Sequence, residues 1–188
     1  LDPDPEALDA AQWNGVIDET FLEPGPWLQE ADLVVLASPV QTLCDLADSI
    51  APFIRPDTIV TDVGGVKADL VERLTHLRFV GGHPMAGSEK NGVLNADAAM
   101  LENAVWVLTP VDGTDQQAFS QVQEFVNQLG ARPLTVDPAQ HDQLVAAVSH
   151  VPYLTALALT QLVAVDSDRD LMMLLAAGGF RDLTRVAS

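Results

Sequence analysis

The amino-acid sequence predicts an α/β fold in which a mostly parallel sheet is followed by an all-helical segment. Short runs of apolar and β-branched residues alternate with longer runs of helical spacing, which is the pattern of βα units. From Pro138 onward only the helical spacing continues. The chain has 188 residues, 48% of them apolar, which is enough for one domain with a sizeable core, or for one domain and a fraction.

Five strands are predicted in the first part of the chain. They lie at residues 31–38, 57–63, 78–82, 104–109 and 132–136. Pro39 ends the first strand and the Gly64-Gly65 pair ends the second. The fifth strand contains Pro133, which cannot donate a hydrogen bond to a neighbouring strand, so we expect it at an edge of the sheet.

Helices are predicted between and after these strands, at residues 40–51, 66–76, 116–129, 138–165 and 170–177. The chain also opens with a helix, because Asp4 is a good N-cap residue and Pro5 suits the first helical position. Pro152 is expected to kink the long helix that begins at Pro138. We therefore expect a domain boundary near Asp137.

The charge of the chain excludes some classes of partner. Its 27 acidic and 9 basic residues give a net charge of −18. Such a surface repels phosphate backbones and anionic lipids, so nucleic-acid and membrane partners are disfavoured. An anionic substrate would require the few cations to be concentrated at its site.

No apolar run approaches the ~20 residues that span a bilayer. The acidic, proline-broken first residues also differ from a signal or transit peptide, so we expect a soluble, cytoplasmic protein. The one cysteine, Cys44, cannot form an internal disulfide, and its apolar helical position favours a core residue over a nucleophile. We assign no residue to a metal site.

Two short polar segments follow predicted strands. Ser38-Pro39 ends the first strand, and Asp-Val-Gly-Gly-Val-Lys at 62–67 ends the second. In an α/β sheet, ligands bind in the crevice beyond the carboxyl ends of the strands, and glycines let a ligand approach the backbone closely. The alternative is that both segments are ordinary turns, with a solvated lysine at position 67.

His83 gives the strongest functional signal. It lies in Gly-Gly-His-Pro-Met-Ala-Gly-Ser-Glu at 81–89, at the end of the third strand, between glycines and a proline that restrict its backbone. Imidazole is the side chain best suited to exchange a proton near neutral pH. A single histidine is more often structural, but this one shares its sheet edge with the two preceding segments.

A fourth polar group lies in the helical part, at 149–153 and 180–185. His150 is alternatively a capped or core histidine, and Arg181 and Arg185 are alternatively an exposed face that pairs with Asp182. Against these alternatives, four of the nine basic residues lie in or beside the four groups, namely Lys67, Lys90, Arg181 and Arg185. Two carboxylates on one small substrate would explain such a cluster.

The first residues, Leu1-Asp2, resemble the end of a strand. In a Rossmann fold, an acidic residue that ends the second strand binds the adenosine ribose of a dinucleotide. Asp2 is therefore a candidate for that contact, and an ordinary terminal aspartate is the alternative. The chain contains no Gly-x-Gly-x-x-Gly turn to cradle a pyrophosphate. We therefore expect an incomplete Rossmann-like sheet without its first strand and glycine-rich loop.

Five motifs together resemble one enzyme family. They are Ala-Ser-Pro at 37–39, Asp-Val-Gly-Gly-Val-Lys at 62–67, Gly-Gly-His-Pro-Met-Ala-Gly-Ser-Glu at 81–89, Ser-His-Val-Pro at 149–152 and Gly-Gly-Phe-Arg-Asp-Leu-Thr-Arg at 178–185. In this order and spacing they are similar to the motifs of prephenate/arogenate dehydrogenases. The resemblance covers essentially the whole chain and implies a piece of such an enzyme truncated at both ends. Residues 1–137 would be a partial dinucleotide-binding domain, and residues 138–188 the first part of a helical substrate and dimerisation domain.

The resemblance implies an oxidoreductase of tyrosine biosynthesis that forms a homodimer when full length. Family members convert prephenate to 4-hydroxyphenylpyruvate, or arogenate to tyrosine. The ring C4 hydride passes to NAD or NADP while the ring carboxylate leaves as carbon dioxide. By similarity, His83 is the catalytic residue that accepts a hydrogen bond from the C4 hydroxyl and draws off its proton.

The remaining implied roles divide between substrate and cofactor. Implied at the substrate are His150, Arg185, Arg181, Tyr153 and Ser88, with Arg185 binding a carboxylate. Implied at the cofactor are Asp2, Ser38, Pro39, Asp62, Val63 and Lys67.

Two departures from the family pattern concern the substrate. Gly65 stands where the family often has a serine that helps to position the ring hydroxyl, so water or a donor such as Ser88 must substitute for it. Tyr153 stands where many prephenate-using members have a second histidine. The choice between prephenate and arogenate, like that between NAD and NADP, is left open by the sequence.

Two other functional classes are compatible with parts of the sequence. β-Hydroxyacid and 6-phosphogluconate-type dehydrogenases share a Rossmann-plus-helical layout, but they use a helix-borne lysine, and the predicted helix at 138–165 contains none. The second hypothesis is non-enzymatic and concerns the 188 residues by themselves. Without the glycine-rich strand and turn we expect little or no cofactor affinity, and exposed apolar surface on the helical part should cause association.

Overall fold

The computed structural model describes residues 1–87 and 92–187. The chain divides into two compact units, Leu1–Asp142 and Gln143–Ser188. The strands are β1 (Leu33–Leu36), β2 (Ile59–Asp62), β3 (Phe79–Pro84), β4 (Val105–Thr109) and β5 (Arg132–Thr135). The helices are α1 (Pro5–Trp13), α2 (Val40–Ile50), α3 (Ala68–Arg73), α4 (Gln116–Gln128), α5 (Pro138–Val145), α6 (Val151–Ala164), α7 (Arg169–Leu175) and α8 (Gly178–Thr184).

The five strands form one sheet in the order β1-β2-β3-β4-β5. Three of the four pairings are parallel, so the predicted α/β fold with a mostly parallel sheet is confirmed. The pairing of β3 with β4 is antiparallel, which the sequence did not predict. A parallel return normally uses a crossover helix, and the described residues between β3 and β4 form only short 3-10 turns at Val93–Asn95 and Ala98–Leu101.

The core of the first unit lies on both faces of the sheet. Successive residues of a strand point to opposite faces, and accordingly Val60 joins one buried cluster while Ile59 joins the other. The first cluster packs against α2 and α3, through residues such as Leu43 and Leu70, and the second packs against α4. Each fully buried aliphatic side chain contributes roughly 1.5–3 kcal/mol. This two-sided burial fixes the strand ends from which the polar segments emerge.

The observed helix and strand ends lie close to the predicted ones, with two exceptions. Asp4 caps α1 as predicted, and its carboxylate accepts a hydrogen bond from the Glu6 N–H at 2.9 Å. Leu1 and Asp2, however, are not part of a strand, so that expectation is wrong. Helix α8 was not predicted, because its Gly178-Gly179 start lowers the local helix propensity.

The long helix that begins at Pro138 changes its winding rather than continuing uniformly. Between α5 and α6 the residues Ala146–His150 form a π-helical segment, immediately before Pro152. Proline has no N–H to donate to the preceding turn, and wider π turns often occur next to such interruptions or at functional sites. The stretch Pro138–Ala164 is also long and apolar enough to cross a membrane by length and composition alone, although a core helix of a water-soluble protein meets the same test. The expectation that no run approaches that length is therefore corrected, because polar residues interrupt this stretch without lowering its mean hydropathy below the range of membrane-spanning helices.

Candidate active site

Three of the polar segments meet at one edge of the sheet. Strands β1, β2 and β3 are parallel, so their carboxyl ends lie side by side. The Val63 N–H donates to the Leu36 carbonyl at 3.1 Å, which joins the ends of β2 and β1. The Gly82 N–H donates to the Asp62 carboxylate at 2.9 Å, which joins the ends of β3 and β2. The segments that begin at Ser38, Asp62 and Gly81 therefore border one crevice edge, as expected for an α/β sheet.

Asp62 and Lys67 form a fully buried ion pair at the end of β2. Neither side chain is exposed to solvent, and the Lys67 ammonium contacts the Asp62 carboxylate directly. The ammonium also donates to the Gly82 carbonyl at 2.8 Å, and the Gly64 N–H donates to the same carboxylate at 2.8 Å. The pair therefore joins the β2 turn to β3.

This burial bears on two predicted roles. The sequence predicted Asp62 and Lys67 at the cofactor, with a solvated lysine as the alternative, but both side chains are enclosed and their polar atoms bind each other and the backbone. Burial raises the pKa of Asp62, against the opposing effect of the Lys67 charge. Burial likewise lowers the pKa of Lys67, against the opposing effect of Asp62. The two side chains therefore support the strand ends, and a contact of this turn with the cofactor stays a prediction.

His83 lies in β3 and is held on one side by a second histidine. Its backbone is fixed by the antiparallel pairing with Val107. Nδ1 of His83 lies 2.9 Å from Nε2 of His141, and the two rings meet edge to face. The His141 side chain is 1% exposed, and its Nδ1 lies 2.7 Å from the Asp142 carboxylate. The half-buried His83 ring is thus the outer member of an Asp–His–His chain.

Asp142 connects this chain to the start of α3. One carboxylate oxygen accepts from the Lys67 N–H at 2.8 Å, and the other accepts from the Ala68 N–H at 3.0 Å. Burial by itself would raise the pKa of Asp142, but the hydrogen bonds from Ala68, His141 and Lys67 together hold it below its usual value. The carboxylate is therefore charged near neutral pH and acts only as an acceptor.

Gly65 leaves space beside the other nitrogen of His83. A Cβ atom built at Gly65 would lie 3.8 Å from both Cε1 and Nε2 of the His83 ring, an ordinary van der Waals distance. A Cβ at Gly64 would instead meet Leu43 Cδ1 at 2.8 Å, so that glycine is required by packing. The turn therefore offers room at Gly65 on the side of the ring that faces away from His141.

The residues predicted at the cofactor edge have varied surroundings. The Ser38 hydroxyl is buried and has no hydrogen-bond partner among the residues that the structure describes, and Pro39 is the exposed N-cap residue of α2. Val63 is partly buried against the second core cluster. Asp2 is exposed, and its carboxylate accepts from the Asp4 N–H at 2.9 Å, which closes a local turn.

His141 and Asp142 were not among the residues predicted at the site. A signal was present, since the two residues are adjacent near the start of the predicted helix at Pro138, where polar side chains interrupt the apolar pattern. Their role depends on where the first turns of α5 meet α3 and β3, and that contact links residues about 60 to 75 positions apart. Sequence spacing does not reveal such a contact.

The remaining predicted residues belong to the second unit or lie outside the described residues. His150 ends the π-helical segment, Tyr153 is on α6, Arg181 is on α8 and Arg185 follows α8; all four are exposed. Arg181 and Arg185 are four residues apart and therefore lie on the same side of α8 and its C-cap. The prediction for Ser88 falls outside the described residues.

Two family models match the chain in succession. The nucleotide-binding domain of prephenate dehydrogenase matches residues 1–135, and the dimerization domain of prephenate dehydrogenase matches residues 137–188. The chain belongs to the prephenate dehydrogenase family. The predicted family and Rossmann-like fold are thereby confirmed, while the predicted division at 137 and 138 into two domains stays a prediction.

Individual relatives agree with this family membership. The prephenate dehydrogenase of Lactococcus lactis subsp. cremoris is 37% identical over 190 residues, covering 97% of this chain and 51% of that protein. A crystal structure of prephenate dehydrogenase from A. aeolicus, in complex with hydroxyphenyl propionate and NAD+, has a TM-score of 0.92 at 34% identity and covers 99% of this chain and 67% of that one. The structure of Synechocystis arogenate dehydrogenase has a TM-score of 0.82 at 33% identity, covering 98% and 68%. The chain spans about half the length of the curated relatives it matches.

Proposed function

We propose that the whole protein to which this chain belongs is an NAD(P)-dependent prephenate or arogenate dehydrogenase of tyrosine biosynthesis. One observation carries the proposal: His83 stands at the carboxyl edge of the sheet, with Nδ1 bonded to the buried His141 and Asp142 behind it and with Nε2 on the side of the Gly65 turn. A proton acceptor in such a crevice suits the oxidation of a ring alcohol. The family membership and the relatives named prephenate and arogenate dehydrogenase support the same reaction.

In this proposal His83 receives the proton of the substrate C4 hydroxyl. The bound cofactor supplies the hydride acceptor, and the ring carboxylate leaves as carbon dioxide. Loss of carbon dioxide and aromatisation provide much of the driving force, so the protein mainly orients the ring and neutralises its charge. Arg185, with Arg181 as a second guanidinium, is the proposed partner of a substrate carboxylate, and His150 and Tyr153 are proposed to contact the substrate.

The residues at the β1 and β2 ends suit part of a dinucleotide. The buried hydroxyl of Ser38, which has no hydrogen-bond partner within residues 1–87 and 92–187, offers a hydrogen bond to a polar group, and a Cβ at Gly65 would meet only the His83 ring. Ser38, Pro39 and Val63 are therefore the proposed cofactor contacts, with Asp2 proposed at a ribose. The 188 residues contain no glycine-rich pyrophosphate cradle, so low affinity of these residues by themselves stays a prediction.

A lysine-based dehydrogenase is the less favoured alternative. The Lys67 side chain is fully buried and paired with Asp62, and Lys90 falls outside the described residues. A catalytic lysine on α5 or α6 would be required instead, and neither helix contains a lysine. The imidazole of His83 is therefore the better proton acceptor.

The second unit supports a proposed homodimer. It matches a dimerization domain, and many of its apolar side chains are exposed, among them Leu154, Leu162 and Leu174. Apolar surface of this extent is typical of a protein interface. A cytoplasmic location is proposed from the same family relationship.

The central test is the variant His83→Asn in the full-length protein. We expect kcat for oxidation of prephenate or arogenate to fall by roughly 10²–10⁴-fold, because asparagine is a smaller polar side chain that fits the site but does not accept the proton at neutral pH. Binding of substrate should be largely preserved. The measurement is formation of reduced NAD or NADP with each substrate, together with calorimetric binding.

His76→Asn is the matched control for this test. His76 is exposed and pairs only loosely with Asp48 at 3.3 Å, so its loss should leave kcat unchanged. Turnover by His83→Asn at the wild-type rate would remove the proposed mechanism. Absence of activity with both substrates in the wild-type full-length protein would remove the proposed function itself.

A further inference from the structure

We propose that His141 and Asp142 are positioning residues that fix the proton of His83 on Nδ1 and so leave Nε2 as the proton-accepting nitrogen. The catalytic meaning of this inference rests on the proposed function of His83. The inference about the proton itself rests only on the hydrogen bonds of the first unit. A neutral histidine carries its proton on either nitrogen, and only one of these forms presents an acceptor toward Gly65.

Asp142 is held as a charged carboxylate by several donors. Its two oxygens accept from the Lys67 N–H, the Ala68 N–H and the His141 ring. Two backbone donors converge on this carboxylate from the start of α3. An ionised carboxylate has no proton to give, so the hydrogen bond at 2.7 Å requires a proton on Nδ1 of His141.

The His141 ring lies buried between Asp142 and His83. Its side chain is 1% exposed, so an added charge on the ring would lie away from water. In the neutral ring a proton on Nδ1 leaves a lone pair on Nε2. The contact of 2.9 Å between that nitrogen and Nδ1 of His83 is then a hydrogen bond in which His83 donates.

The hydrogen bond to His141 in turn sets which nitrogen of His83 carries the proton. Because its Nδ1 donates to His141, the neutral ring has its lone pair on Nε2. Nε2 is also the atom beside the space at Gly65, at 3.8 Å from a Cβ built there. When Nε2 takes up a proton, the Nδ1 hydrogen bond persists and the Asp142 charge stabilises the new cation through His141. A base oriented by a third group is a common arrangement in proton-transfer sites.

Two substitutions of His141 test whether the hydrogen-bond acceptor for His83 is what matters at this position. In His141→Asn the amide group replaces Nδ1, so the hydrogen bond to Asp142 is retained while the acceptor for His83 is lost. In His141→Gln the longer amide reaches the former position of Nε2 and restores an acceptor for His83. Both variants keep a polar side chain in the buried position, and thermal unfolding checks that they fold.

The decisive readout is the position of the His83 proton in the full-length protein without ligands. Long-range nitrogen–proton correlation spectra of uniformly nitrogen-15-labelled protein distinguish a protonated from an unprotonated ring nitrogen. We expect the wild type and His141→Gln to carry the proton on Nδ1, and His141→Asn to show both forms. This readout does not depend on any enzymatic activity.

Steady-state kinetics provide the second readout. We expect kcat of His141→Asn to fall roughly tenfold to a hundredfold with little change in KM, which is part of the 10²–10⁴ that a general base contributes. His141→Gln should recover much of this loss, and the exposed control His76→Asn should have no effect.

The possible outcomes are distinguishable. A wild-type His83 that carries its neutral-state proton on Nε2 would overturn the inference without any variant. It would also be overturned if His141→Asn left both the proton position and kcat unchanged. If the proton lies on Nδ1 as expected but the protein oxidises neither substrate, the inference about the proton stands and the proposed function fails.

Discussion

At the scale of single residues, loss of one partner of the buried Asp62–Lys67 pair should strongly lower the free energy of unfolding. Both side chains are fully enclosed, and the pair receives two backbone N–H groups and donates to one carbonyl. Desolvating two charges is costly, and their mutual attraction offsets that cost only while both are present. The stability of the strand ends around this pair therefore requires both side chains.

We expect Lys67→Met to lower the free energy of unfolding by about 3–5 kcal/mol, because it leaves the Asp62 carboxylate buried without its cation. The double variant Asp62→Asn with Lys67→Met should lose clearly less than the sum of the two single variants, since the two sites are directly coupled. Urea denaturation of each variant measures these differences.

Arg73→Met is the control for that series. Arg73 pairs with Asp69 at 3.7 Å with both side chains largely exposed, and such pairs contribute roughly 0–1 kcal/mol. If Lys67→Met cost no more than Arg73→Met, the buried pair would not have the supporting role that its geometry indicates.

At the scale of elements, the close approach of β3 to β2 sets the geometry of the candidate site. A Cβ at Gly82 would lie 2.6 Å from the Asp62 carbonyl oxygen and 2.9 Å from Trp106 Nε1. Only glycine lets the two strands and the Trp106 ring meet at this distance. The hydrogen bond from the Gly82 N–H to Asp62 and the adjacent position of His83 both depend on that approach.

We therefore expect Gly82→Ala to destabilise the protein by roughly 1–3 kcal/mol, because backbone atoms must move to admit the methyl group. Gly65→Ala is the matched control in the adjoining turn, where the nearest atoms lie at 3.8 Å, and it should change stability by less than about 0.5 kcal/mol. Chemical denaturation compares the two, and equal effects would contradict the close approach.

The helix that begins at Pro138 carries candidate site residues of both units. Its first turns carry His141 and Asp142 to the site in the first unit, while the following π-helical segment and α6 carry His150 and Tyr153 in the second. The sequence predicted one long helix, and the helical character was correct. The change to π winding was not foreseen, because apolar spacing does not distinguish it from a proline kink.

At the scale of the whole molecule, the two units differ in the composition of their surfaces. In the first unit Arg55, Arg73 and Arg78 each pair with an aspartate, and the many acidic residues in excess of the basic ones leave its surface negatively charged. In the second unit apolar side chains dominate the exposed surface of α6 and α7. Self-association should therefore arise from the second unit and not from the acidic first unit.

We expect the 188-residue chain to form dimers or larger species in sedimentation velocity experiments. Leu154→Glu, at a side chain that is 61% exposed on α6, should shift the distribution toward the monomer, since burying a carboxylate in an apolar contact is costly. Leu94→Glu, at a residue that is 77% exposed in the first unit, is the control and should have no effect. A monomeric wild-type chain would contradict the proposed interface.

The sequence alone predicted the α/β fold, the five strands and the family, and it singled out His83 as the candidate catalytic residue. It did so because apolar periodicity and the strand-to-turn motifs are local properties that a chain displays directly. Only the tertiary structure decided that Lys67 is buried with Asp62, that β3 pairs antiparallel with β4, and that His141 and Asp142 stand behind His83. Each of these depends on contacts between residues distant in the chain, where burial and hydrogen-bond satisfaction, rather than local spacing, select the partner.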